Sequence, residues 1–130
     1  MKTRILCSGT FDRLHTGHIK YLKAAKNLEK NSELIVIVSR DETAKQIKNK
    51  NTINNEKIRL KRIQSLDFVD KAVLGYEKSK ILERVVSLKP DIIALGHDQW
   101  AKEDWLKENL KKLRLNVKIV RMPKFEKEYL

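Results

Sequence analysis

Residues 4–18 read Arg-Ile-Leu-Cys-Ser-Gly-Thr-Phe-Asp-Arg-Leu-His-Thr-Gly-His. The apolar run over 4–7 has strand length, and Ser8, Gly9 and Thr10 close it as turn residues do. Ile19, Leu22, Ala25 and Leu28 then recur at helical spacing, which predicts a helix from about Thr16 or Gly17 to near Asn31. The stretch is therefore a strand that runs through a loop into a helix. Gly9 lets the backbone come close to a ligand. The start of the helix aims unpaired N–H groups and the positive end of its dipole into the loop, a ready site for phosphate. His15 and His18 lie three residues apart, so both imidazoles can face one point at the helix N-terminus, and Gly17 puts no side chain between them.

The rest of the chain continues the alternation. Strands are predicted over 33–39, 71–74, 92–95 and 117–122, and helices over 41–49, 56–66, 81–88 and 104–113. Asp41 is read as the cap of the helix it opens. In the last helix Trp105, Leu106, Leu110 and Leu113 are read as one apolar face, with Trp100 and Trp105 as core residues. Pro90 enforces the exit from the helix before it, having no N–H to donate. Strands separated by helices make βαβ units. The expected fold class is α/β: a Rossmann-like, doubly wound, parallel five-stranded sheet with helices on both faces. Such sheets bind ligands beyond the carboxyl ends of their strands, so chemistry is expected in the loops after Cys7, Val38, Leu95 and Val120.

Composition narrows the classes. The chain has 130 residues, with 29 Lys+Arg against 17 Asp+Glu and a formal charge of +12. This is one ordinary domain, long enough to bury a core without disulfide or metal staples. No apolar run approaches the ~18 residues of a membrane span, and the N-terminus lacks the pattern of a signal peptide. The expectation is a cytoplasmic protein with no membrane partner. Cys7 is the single cysteine and is read as a small core residue. The basic excess is spread along the chain, +7 in residues 1–60 and +5 in 61–130. Alone it fits nucleic acid, phosphorylated small molecules or plain solvated lysines.

The stretch Gly-Thr-Phe-Asp-x-x-His-x-Gly-His over 9–18 resembles the signature of the cytidylyltransferase-like nucleotidyltransferases. Residues 36–43, 70–75 and 88–93, together with Leu95, Gly96 and Gln99, are similar to the archaeal FAD synthase branch, which are FMN adenylyltransferases. Glycerol-3-phosphate cytidylyltransferases share size and signature and stand as the alternative. They follow the last strand with Arg-Thr-x-Gly-Ile-Ser-Thr-Thr, where this chain has Arg121-Met122-Pro123-Lys124-Phe125. A third reading is a nucleotide- or RNA-binding module without catalysis. The resemblance also implies a Ser/Thr-rich segment and a helix after the last strand. The expectation is accordingly a single nucleotidyltransferase domain over 1–130 that lacks a C-terminal segment.

The resemblance further implies the site. His15 and His18 are the catalytic candidates, steadying the phosphorus under attack, and Thr10 and Phe11 line the nucleotide with backbone groups. Thr16 and Gly17 complete the phosphate loop, although Thr16 has an ordinary reading as a helix cap. Asp98 matches a nucleotide-contacting position and otherwise reads as a solvent-facing loop acid. Phe125 matches an aromatic position near adenine and otherwise reads as core packing. Lys45 and Arg59 are the cations for the triphosphate, each with a plain surface reading beside it, and Asp12 is read as ordering the loop. The implied substrates are ATP, carrying a divalent metal such as Mg2+, and FMN. No resident metal site and no nucleic acid partner are expected, and a homodimer is implied because the superfamily commonly forms one.

Overall fold

The computed structural model describes residues 2–126. Five strands, β1 (Thr3–Gly9), β2 (Ser32–Val38), β3 (Lys71–Leu74), β4 (Ile92–Leu95) and β5 (Lys118–Arg121), alternate with five helices. These are α1 (Thr16–Lys26), α2 (Asp41–Lys48), α3 (Glu56–Gln64), α4 (Ile81–Ser87) and α5 (Trp100–Lys112). All strand pairs are parallel, in the order β3-β2-β1-β4-β5. The chain winds outward one way from β1 through β3 and the other way through β4 and β5. The order thus reverses between β1 and β4, where a crevice opens at the strands' carboxyl ends.

Alternation along the strands builds a core on each face. Ile5 and Cys7 of β1 pack with Leu34, Val36 and Val38 of β2 against Leu22 and Ala25 of α1 and Ile63 of α3. Leu6, Ile35 and Ile37 point the other way, against Val85 of α4 and Leu106 and Leu110 of α5. The doubly wound sheet read from the sequence is the observed one. Among the described residues, no helix is long and apolar enough to cross a membrane.

Element ends differ from the sequence reading for identifiable reasons. The first helix stops at Lys26 instead of near Asn31, because the Ser32 hydroxyl donates to the Lys26 carbonyl at 2.7 Å and Asn27 caps the turn. Asp41 does not cap α2; Arg40 holds that position without a side-chain capping bond, and the Asp41 carboxylate is engaged by Arg59 and Thr52. The last helix begins at Trp100, four residues earlier than its apolar pattern, once the Gln99 side chain has accepted the Gly96 N–H at 2.8 Å. Its buried stripe is Leu106 and Leu110, whereas Trp105 is 42% and Leu113 50% exposed. The core reading of Trp105 is corrected accordingly; that of the Trp100 side chain lies outside the described residues.

Candidate active site

The signature loop leaves β1 at the switch point and returns as α1. Tyr21 of α1 donates its hydroxyl hydrogen bond to the Ala94 carbonyl of β4, tying the helix across the crevice. Gly9 is required here: a Cβ on it would lie 2.8 Å from the Phe11 ring. Phe11 itself takes a left-handed backbone (φ 52°), and its ring is buried, edge-on to His18 with centroids 5.2 Å apart. Its side chain is therefore core, and only its backbone is placed to line a ligand, as the resemblance implies.

His15 is the N-cap of α1, a role the sequence reading had offered to Thr16, which is the first residue inside the helix. The His18 N–H donates to His15 Nδ1 at 3.2 Å, and the His15 N–H donates to His18 Nδ1 at 3.4 Å. The rings stack with centroids 3.6 Å apart and planes inclined by 18°. Each Nδ1 accepts a hydrogen bond, so in the neutral imidazoles the proton sits on Nε2. Reciprocal capping thus fixes one tautomer in both rings, each an Nε2–H donor beside the helix N-terminus. Gly17 makes room for this: a Cβ there would lie 3.0 Å from His15 Nδ1 and Cε1 and 3.2 Å from the Phe125 carbonyl. The chain after β5 therefore passes beside the histidine pair, while the Phe125 side chain packs on the α1 side of the core.

The other predicted positions separate. Arg59 is completely buried. Its Nη1 donates to the Thr10 carbonyl at 2.8 Å, its Nε to the Asn54 carbonyl at 3.0 Å and its Nη2 to Asp41 at 2.7 Å. Its burial corrects the plain surface reading, and in place of the triphosphate contact that the resemblance implies, its donors reach protein groups and hold the signature loop from behind. Asp12 completes the brace, accepting the N–H groups of Ile53 and Asn54 at 2.8 Å each. Desolvation pushes the Asp12 carboxyl up, but these two N–H groups and the Arg59 charge outweigh it and hold it below the ordinary range. Asp41 is lowered in the same way, its desolvation outweighed chiefly by the Arg59 hydrogen bond. Lys45 is exposed on α2, in a depression it shares with Asp41, Glu42 and Thr52. Asp98 is exposed at the carboxyl end of β4, where a Cβ on Gly96 would lie 3.4 Å from its Oδ1.

The structure also shows features that hydropathy patterns passed over. Asn54 lies outside every predicted strand and helix, yet its side-chain amide donates to the Asp12 carbonyl at 2.6 Å. On the α4/α5 face of β1 lies a cavity of about 70 Å³, bordered by Ser8, Tyr76, Arg84 and Lys102. Among the described residues, no three His, Cys, Asp or Glu side chains gather as a resident metal would require.

Comparison with known proteins agrees with this geometry. The sequence model of the cytidylyltransferase-like family matches residues 6–129. An FAD synthase of Korarchaeum cryptofilum is 49% identical over 96% of this chain and 84% of its own length. One from Thermoplasma volcanium is 45% identical over 95% of this chain and 84% of its own. A solved structure from Thermoplasma volcanium, described as a lipopolysaccharide core biosynthesis protein, superposes with a TM-score of 0.88. It is 44% identical, covering 97% of this chain and 100% of its own. With its signature loop braced at the switch point of a doubly wound sheet, the chain belongs to the cytidylyltransferase-like family, as a nucleotidyltransferase.

Proposed function

We propose that the chain is an FMN adenylyltransferase, joining FMN and ATP into FAD and pyrophosphate. The reciprocally capped histidine pair carries the nucleotidyl-transfer part of this reading, and the similarity to archaeal FAD synthases supports the choice of substrates. A phosphate oxygen of FMN attacks the α-phosphorus of ATP in line. The bond from that phosphorus to the bridging oxygen breaks, and its electron pair leaves with pyrophosphate. The attacking oxygen is already anionic, so no general base is needed. Catalysis consists of positioning and of donors aimed at the charge growing on the phosphoryl oxygens. His15 and His18 supply Nε2–H donors of fixed tautomer, and the first turn of α1 adds backbone N–H groups. Magnesium enters as part of the ATP substrate. A cytoplasmic location and a homodimer belong to the same reading; light scattering measures the latter.

Two measurements test the proposal. Pyrophosphate release is followed with ATP or CTP paired with FMN, glycerol 3-phosphate or phosphopantetheine. Turnover is expected for ATP with FMN. Turnover confined to CTP with glycerol 3-phosphate transfers the chain to the cytidylyl reading, and salt-sensitive RNA binding with no turnover makes it a binding module. The second uses His15→Asn, which keeps a capping oxygen on α1 but removes the Nε2 donor. A loss in kcat of about 10²–10³-fold is expected, with the folded state retained. Near-normal turnover overturns the role of the pair.

A further inference from the structure

The α5 helix carries an anomaly on its inward stripe. Leu106 and Leu110 are buried at helical spacing, and the next position toward the N-terminus on that stripe is Lys102. The Lys102 side chain enters the cavity on the α4/α5 face of β1, and its Nζ donates to the Ser8 hydroxyl at 3.0 Å. Among the described ion pairs none gives it a carboxylate partner. The ammonium carries three donors, so this bond leaves it with capacity for an anion. Desolvation pulls its pKa below the ordinary lysine value.

The cavity's location says which anion. Ser8 lies at the carboxyl end of β1, directly before the signature loop, so Lys102 stands at the end of the sheet from which that loop departs. From there the cavity runs under β2 to residues following β3. Two strand spacings make this about 10 Å, the span of a short polyol chain. At the far end Ile47 and Tyr76 are large apolar side chains left 60% and 38% exposed at the mouth. The Arg84 guanidinium lies 4.6 Å from the Tyr76 ring centroid and donates to the Leu74 carbonyl and the Tyr76 hydroxyl. The cavity thus has the Lys102 ammonium at the β1 end and, at its mouth, two large apolar side chains with the Arg84 guanidinium over the Tyr76 ring, its donors engaged by Leu74 and Tyr76.

We propose that this cavity is the acceptor site, in which Lys102 binds the phosphate of the acceptor while Ile47 and Tyr76 take its ring system. The inference rests on the FMN reading above and adds to it the residue that selects a phosphorylated flavin over an unphosphorylated one.

The test compares FMN and riboflavin, which differ only in that phosphate, by fluorescence titration of the full chain and its Lys102→Met variant. The wild-type chain is expected to favour FMN by at least about tenfold, in keeping with a charge-assisted contact. Lys102→Met is expected to weaken FMN binding by about ten- to hundredfold, to leave riboflavin binding unchanged, and to raise the KM for FMN without changing that for ATP. Methionine continues the apolar stripe, so the melting temperature is expected to hold or rise. If the methionine variant does not fold, Lys102→Gln, which keeps a donor for Ser8 without the charge, is read in its place. A preference for FMN preserved within about threefold in the variant, against a wild type that turns FMN over, overturns this assignment alone. A wild-type chain that neither binds nor adenylylates FMN overturns the function proposed above and this assignment with it.

Discussion

Replacing Arg59 with methionine distinguishes a loop brace from a triphosphate ligand. The guanidinium makes three hydrogen bonds of 2.7–3.0 Å, to the Thr10 and Asn54 carbonyls and to Asp41, from a fully buried position. Hydrogen bonds to a charged group contribute about 1.5–3 kcal/mol each, but bonds from one side chain are not additive. Removing one partner of a buried pair costs about 3–5 kcal/mol. The Asp41 side chain is 41% exposed, so its carboxylate rehydrates, which places the loss near the lower end, at about 3 kcal/mol. For a chain of this size that amounts to a fall in melting temperature of about 10 °C. The assay pairs thermal unfolding with steady-state kinetics below the variant's transition. The brace predicts the thermal loss together with a lower kcat, because Thr10 loses its anchor, and a KM for ATP within about threefold of wild type. An unchanged melting temperature with a KM for ATP raised tenfold or more would refute this reasoning and return Arg59 to the triphosphate.

Gly17→Ala forces a Cβ to within 3.0 Å of the His15 ring, so the imidazole must shift or its cap bond must lengthen. Alanine's better helix propensity, about 1 kcal/mol, offsets part of the strain. The expected outcome is a melting temperature within a few degrees of wild type and a kcat reduced about 10²-fold; wild-type kcat would show that the pair's geometry is not critical. Asp12, Asp41 and Asp70 all have lowered pKa values, desolvation being outweighed in Asp70 by Lys26 and the Leu34 N–H. A depressed carboxylate stabilises the fold above its unfolded pKa, and this contribution disappears as pH falls through the folded value. Urea midpoints are therefore expected to fall as pH drops below about 4, with a shallower fall in Asp70→Asn; equal slopes would contradict the Asp70 contribution. Burial pushes the Cys7 thiol up to about 12, against a smaller opposing effect of Tyr21. Iodoacetamide at about pH 8 should leave native Cys7 unmodified and alkylate it only after unfolding; rapid native alkylation would contradict its burial.

What could be read from the sequence depends on which interactions have a period. Strands β3 and β4 fall on the residues their apolar runs predict; β4, Ile-Ile-Ala-Leu, is buried throughout, as a parallel strand covered on both faces is, while β3 at the sheet edge buries only Ala72 fully. The signature loop was legible because Gly9, Gly17 and the two histidines each meet a local demand, and the structure supplies the contact behind each. Arg59 and Lys102 were not legible. Hydropathy assigns a charged side chain to solvent, and only long-range partners reverse that assignment: the Thr10 carbonyl, 49 residues from Arg59, and the Ser8 hydroxyl, 94 residues from Lys102. For the same reason the net charge of +12 could not identify a ligand. Arg59 is spent on holding the loop, and Lys102 lies among apolar side chains. A surface count records both as ordinary basic residues, although the structure gives them different partners on opposite faces of β1.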